Sequence, residues 1–211
     1  MVRGFVVRVT TYLEETLTNM VKNICVFASA SNDLAEVYYK DAQKLGALIA
    51  QNGYGVVYGG SRRGLMYACA EAAKQAGGKV YGVMPEKIAN AGLANPEDCD
   101  EFYLTKGMRE RKAKLDELSD AVIAIAGGFG TLEEISEMIT QKQLGYSNKP
   151  IVILNTNGLY DSLVGFFENV IQQGFAEEGL RNIYYVANSP EEALSYINSY
   201  RGENVYIKYA I

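Results

Sequence analysis

The chain has 211 residues, 48% apolar and 21% charged, which suits one soluble α/β domain with a sizeable core. A formal net charge of −5 speaks against a general nucleic-acid surface, and no apolar run approaches the length of a membrane span. There is no histidine, which excludes Ser-His-Asp and Cys-His nucleophile systems and His-ligated metal sites, and leaves acid–base chemistry to carboxylates, Lys, Tyr or Cys.

Arg3 and Arg8 interrupt any signal-peptide core in residues 1–19, which are expected to form a poorly ordered extension before a single domain over 20–211. Ile24–Ala28 reads as the first strand and is followed by the small polar loop Ser29-Ala-Ser-Asn-Asp33. A helix to about Gln51 carries Leu34, Tyr38, Leu45 and Leu48 on its apolar side, and Gly53 stops it. Tyr54–Tyr58 is a strand ending in Gly59-Gly-Ser-Arg-Arg-Gly64, and the helix after it carries Leu65, Met66, Cys69 and Ala73. Lys79–Met84 is the third strand, residues 86–100 are irregular, and Glu101–Leu104 is a short strand. A charged helix over about Gly107–Leu118 precedes the strand Ala121–Ala126. Beyond it come a long helix, strand Pro150–Leu154, a helix from Leu159 to Gln173 and strand Ile183–Val186. The last helix opens with Ser189-Pro-Glu-Glu192, and a Tyr-rich tail (Tyr200, Tyr206, Tyr209) follows. Cys25, Cys69 and Cys99 form no C-x-x-C pair and are expected to be reduced thiols of a cytoplasmic protein.

Strands alternating with helices predict a Rossmann-like parallel sheet of about seven strands with helices on both faces. Ligands of such sheets bind at the carboxyl ends of the strands, near the switch in strand order. Three loops of small residues fall there: Ala28–Ser31, Tyr58–Arg63 and Gly127–Thr131. The third organises the chain. A doubly buried strand runs into Gly127-Gly-Phe-Gly130, and Ile135, Met138, Ile139 and Lys142 then recur at helical spacing. The free N–H groups at that helix start suit a phosphate. Thr131 and Glu134 also have the spacing of a capping box, in which both side chains only satisfy the helix end. In the charged helix, Met108, Arg111, Lys112 and Leu115 share a face, read either as solvated surface or as a site wall leading into the glycine loop.

Three motifs occur in order: Tyr58-Gly-Gly-x-x-x-Gly-Leu-Met66, Met108-x-x-Arg-Lys112 and Gly127-Gly-x-Gly-Thr-x-x-Glu134. From about Ile24 to Ile197 the chain resembles the LONELY GUY (LOG) family, cytokinin riboside 5′-monophosphate phosphoribohydrolases that have also carried the label lysine decarboxylase. The resemblance implies a homodimer that hydrolyses AMP-like nucleotides to free base and ribose 5-phosphate, with no metal or organic cofactor and no nucleic-acid or membrane partner. It assigns Arg111 and Glu134 as the catalytic pair. Gly128, Phe129, Gly130, Thr131, Leu132 and Glu133 would lie along the nucleotide, with Thr131 at the phosphate. Lys112 and Thr140 match family binding positions, and Gly59, Gly60, Met108 and Gly127 complete the candidate binding set.

The chain departs from the family pattern at Ala126 (usually Pro), at Arg109 (usually His) and at Ala28-Ser-Ala-Ser31 (usually Cys-Gly-Ser-Ser). Leu93 falls where many members have a substrate-contacting Glu. The rival class is a non-catalytic nucleotide or molybdenum-cofactor carrier of similar fold. A pyridoxal-phosphate decarboxylase would need a Schiff-base lysine, and the sequence singles none out.

Overall fold

A computed structural model describes residues 21–202; the expected extension 1–19 and the tail beyond residue 202, with Tyr206 and Tyr209, lie outside the described residues. Seven strands form one wholly parallel sheet: β1 (Asn23–Phe27), β2 (Gly55–Tyr58), β3 (Val80–Pro85), β4 (Glu101–Thr105), β5 (Ala121–Ala124), β6 (Ile151–Leu154) and β7 (Tyr185–Ala187). Their order is β4-β3-β2-β1-β5-β6-β7, so the chain winds outward from β1 in one direction and resumes from β1 in the other. The crevice at that reversal lies between β1 and β5, and the strand containing Val122 and Ile123 is therefore central.

Five longer helices connect strands, α1 (Glu36–Gln51), α2 (Gly64–Gln75), α3 (Met108–Glu117), α4 (Phe129–Gln143) and α5 (Asp161–Gln172), and α6 (Pro190–Ser199) follows β7. Side chains alternate across each strand, and the core divides accordingly. Ile24, Val26, Val56 and Ile123 pack with Leu45 and Ile49 of α1, Leu65 of α2 and Leu194 of α6. Cys25, Phe27, Val122 and Ala124 face the other way, onto Leu115 of α3 and Ile135 and Met138 of α4. Both faces are thus covered, which is why the strands read as unbroken apolar runs.

Some boundaries differ from the sequence-based expectation. The last strand begins at Tyr185, because Ile183 is buried at the end of a 3-10 turn over Glu178–Asn182. In α1 the buried stripe is Ala42, Leu45, Gly46 and Ile49, with Tyr38 and Leu48 only partly covered, and Leu34, also partly covered, precedes the helix. Gly46 permits this packing: a Cβ there would stand 2.0 Å from Cys69 O of α2. At α6 the expected cap is present, with Ser189 Oγ accepting from Glu192 N–H at 3.2 Å and Pro190 in the first turn.

Candidate active site

The three small-residue loops meet at the carboxyl ends of β1, β2 and β5. Ser29 N–H donates to Ala126 O at 3.0 Å and Ser29 O accepts from Leu65 N–H at 2.9 Å, so the first loop ties the other two together. Ser29 Oγ accepts from Ser31 N–H, and Asn32 Oδ1 accepts from Gly64 N–H. The polar groups of this first loop are largely committed to structure.

Arg111 and Glu134, 23 residues apart, form the centre of the site. Helices α3 and α4 lie on the same face of the sheet and carry them together, with Arg111 Nη1 donating to Glu134 Oε1 at 2.6 Å. Both are buried, at 8% and 9% exposure. Arg111 Nε donates to Val83 O at 3.3 Å, which fixes the guanidinium from the β3 side. Burial pushes the Glu134 carboxyl above its ordinary value, and the charge and hydrogen bond of Arg111 pull it only part of the way back. The charged-helix face thus splits: Arg111 and Leu115 are buried, Lys112 is half-buried, and Met108 and Arg109 are exposed.

The capping-box reading of Thr131 and Glu134 is overturned. Helix α4 begins three residues earlier than that reading requires, at Phe129, with Gly128 as N-cap and no side-chain cap. Thr131 lies inside the first turn, buried, with its Oγ1 where a Cβ on Gly127 would be (2.0 Å). Gly127 is therefore a packing requirement of Thr131, whereas a Cβ on Gly128 or Gly130 would meet nothing within 4 Å. The first intrahelical bond to the cap is Leu132 N–H to Gly128 O at 3.0 Å, so the N–H groups of Phe129, Gly130 and Thr131 precede the ladder. Such a helix start has the N–H groups and dipole end that suit an anion, with Glu134 one turn in. Beneath the loop, Tyr160 Oη donates to Ile125 O at 2.8 Å; burial pushes the Tyr160 hydroxyl up to about 12.

Comparison with known proteins places the chain in a family. Residues 66–197 match the family model described as possible lysine decarboxylase. A cytokinin riboside 5′-monophosphate phosphoribohydrolase of Rhodococcoides fascians is 38% identical over 178 residues, spanning 84% of this chain and 90% of that protein. One of Arabidopsis thaliana is 33% identical over 190 residues, spanning 90% and 83%. The chain belongs to the LOG family.

Among solved structures, the molybdenum cofactor binding protein of Rippkaea orientalis is similar, with a TM-score of 0.66, 28% identity and coverage of 85% of this chain and 98% of that one. The molybdenum cofactor carrier protein of Chlamydomonas reinhardtii, at 23% identity and a TM-score of 0.64 (coverage 85% and 97%), speaks for the fold alone.

The LOG motifs converge in one crevice, but their residues differ in what they can do there. Gly59 and Gly60 are buried: a Cβ on Gly59 would stand 2.6 Å from Arg111 Nη2, so this glycine admits the guanidinium. Phe129 is 92% exposed at the loop tip, and Leu132 is half-buried behind it. Lys112 Nζ lies 2.5 Å from Glu133 Oε1 and from Glu137 Oε2, and those hydrogen bonds raise its pKa above the ordinary lysine value. Thr140 is exposed three turns down α4, with its hydroxyl donating to Ser136 O. Leu93, half-buried at the end of the π-turn Ala89–Leu93, brings no carboxylate.

Sequence reasoning missed Glu137 and Val83. Glu133 and Glu137 are four apart, so helical spacing already put both carboxylates on one side of α4. Val83 acts through its carbonyl, for which a side-chain pattern has no sign.

Proposed function

We propose that this LOG-family chain hydrolyses the N-glycosidic bond of AMP-like nucleoside 5′-monophosphates, cytokinin ribosides or purines, giving free base and ribose 5-phosphate. The observation that carries the reading is the buried Arg111–Glu134 pair one helical turn from the open start of α4. A phosphate on the N–H groups of Phe129–Thr131 would direct the ribose toward Glu134. Cleavage breaks the bond between C1′ and the base nitrogen and develops positive charge on the sugar, as in glycoside hydrolysis. The Glu134 carboxylate stabilises that charge and accepts a proton from the attacking water, while the departing base gains a proton. A carboxyl raised by burial is better matched to proton transfer near neutral pH. Arg111 stays charged throughout and orients Glu134.

A panel of nucleoside 5′-monophosphates with the matching nucleosides as controls tests this. The monophosphates should be cleaved far faster, because phosphate binding energy is available only to them. Equal rates on AMP and adenosine would remove the phosphate role from the glycine loop.

A molybdenum-cofactor carrier is the second reading, favoured by the Rippkaea orientalis likeness. Phosphate binding alone has no need of a buried Arg–Glu pair, and release of adenine from AMP would decide against it. The proposed state is a cytoplasmic homodimer. Phe166 and Phe175 are exposed on and just beyond α5, which has no fully buried residue, and Phe129 and Tyr146 are exposed near the site. Three free thiols fit a reducing compartment. Among the described residues no helix is long and apolar enough to cross a membrane. Sedimentation as a monomer at micromolar concentration would overturn the dimer.

A further inference from the structure

The segment between β3 and β4 is irregular and largely exposed, yet Asn95 within it is only 2% exposed. Its backbone N–H donates to Gly60 O at 2.9 Å, beside an antiparallel bridge between Ser61 and Ala94. Its Nδ2 donates to Asp98 Oδ2 at 2.9 Å and, at 3.5 Å, to Tyr58 Oη. Its carbonyl accepts from Cys99 Sγ at 3.3 Å. Asp98 Oδ2 also accepts from Tyr67 Oη at 2.9 Å and from Arg62 Nη2 at 3.2 Å, which anchors the segment to α2 and to the loop before it. Asn95 Oδ1 is buried without a hydrogen-bond donor. An apolar side chain would fill that place without the unsatisfied oxygen, so the value of the amide lies in what its NH2 holds.

What it holds is Asp98 and the Tyr58 hydroxyl, and this fixes the place of Asn95, whose backbone N–H is bonded to the turn that backs Arg111. Gly59 abuts Arg111 Nη2, and a Cβ on Gly60 would stand 2.8 Å from Phe102 Cε2 and 3.3 Å from Val83 N, the residue whose carbonyl accepts from Arg111 Nε. The Gly59–Gly60 turn is thus pressed between the Asn95 segment and the guanidinium.

We propose that Asn95 is a positioning residue for the glycosidic cleavage: it stitches segment 94–98 onto the Gly59–Gly60 turn, and that turn keeps Arg111 aimed at Glu134. The inference rests on Arg111 and Glu134 as the catalytic pair. Asn95→Asp tests it, because this isosteric change removes the donor and sets a carboxylate against Asp98. With AMP as substrate, kcat should fall about ten- to a hundredfold while KM moves less than about threefold, since a small misplacement of a catalytic group acts on the transition state. The acidic limb of kcat/KM should move to higher pH, because a loosened Arg111 stabilises ionised Glu134 less. Asn95→Asp combined with Asp98→Asn re-forms an amide–carboxylate pair and should recover most of the loss. A lowered melting temperature with wild-type kcat and an unmoved acidic limb would overturn the proposal. If Asn95→Asp does not fold, Asp98→Ala removes the same hydrogen bond from its half-exposed side and is read in the same way. Arg111→Ala run in parallel separates the two failures. If it is nearly inactive while Asn95→Asp is normal, the Asn95 inference alone falls. If Arg111→Ala turns over normally, the catalytic pair falls, and Asn95 with it.

Discussion

Two glycine loops end adjacent parts of the same sheet, and they do different work. In the loop after β2, each glycine has a neighbour where its Cβ would be: Arg111 at Gly59, Phe102 at Gly60, and Ser29 O at 2.4 Å from Gly64. In the loop after β5, only Gly127 is filled, by Thr131, while Gly128 and Gly130 look onto open space. The first loop is a wall that lets other protein groups close in. The second leaves backbone N–H groups open, as the proposed phosphate site requires. Glycine content alone therefore does not identify a phosphate loop; what occupies the missing side chains does.

The sharpest way to break this picture lies between the two loops, at the pair they enclose. Glu134→Gln and Arg111→Ala should each lower turnover on AMP by about 100-fold or more, as loss of a well-placed electrostatic group does. Arg111→Ala should also cost on the order of 3 kcal/mol in stability, since it strands a buried carboxylate; loss of a cap would cost about 1 kcal/mol. Chemical denaturation beside steady-state kinetics checks both numbers. Wild-type turnover in Glu134→Gln would show that Glu134 only pairs with Arg111.

Gly59→Ala comes next. Its methyl would meet Arg111 Nη2, so about 1–3 kcal/mol of stability and about tenfold or more in kcat should be lost. Gly128→Ala is the counterpart in the open loop. Its Cβ meets nothing within 4 Å, and its φ of −99° with ψ of −149° lies just outside the β region, so stability should fall by no more than about 1 kcal/mol. KM for AMP should nevertheless rise, measured by initial rates, because the methyl would crowd the proposed phosphate position. If Gly128→Ala were the destabilising one and Gly59→Ala silent, the contrast between the loops would be reversed. The smallest effect is in pH dependence. In the proposed mechanism Glu134 works ionised, and burial holds its carboxyl above the ordinary glutamate value, so kcat/KM should fall with acidification at a pH above that ordinary value. An acidic limb below it would assign the limb to another group.

The order of strands and helices was legible in the sequence because each strand is buried on both faces and each helix keeps one apolar side, as in the run Ala121–Ala124 and the spacing Ile135–Met138. The three motifs also carried the family. Tertiary structure alone decided what the motif residues do. Thr131 and Glu134 have capping-box spacing, but a box forms only if Thr131 is the N-cap and the helix starts at Leu132, and the turn at Gly128 lets it start at Phe129. Glu134 then faces Arg111, a partner 23 residues away that only the packing of α3 and α4 on one sheet face brings near. Lys142 shows the same limit: its spacing put it on the buried side of α4, yet its neighbour is the Tyr200 ring, 4.8 Å away. Local periodicity reports which side of a helix faces inward, whereas the identity of what it meets depends on contacts between segments far apart in the chain.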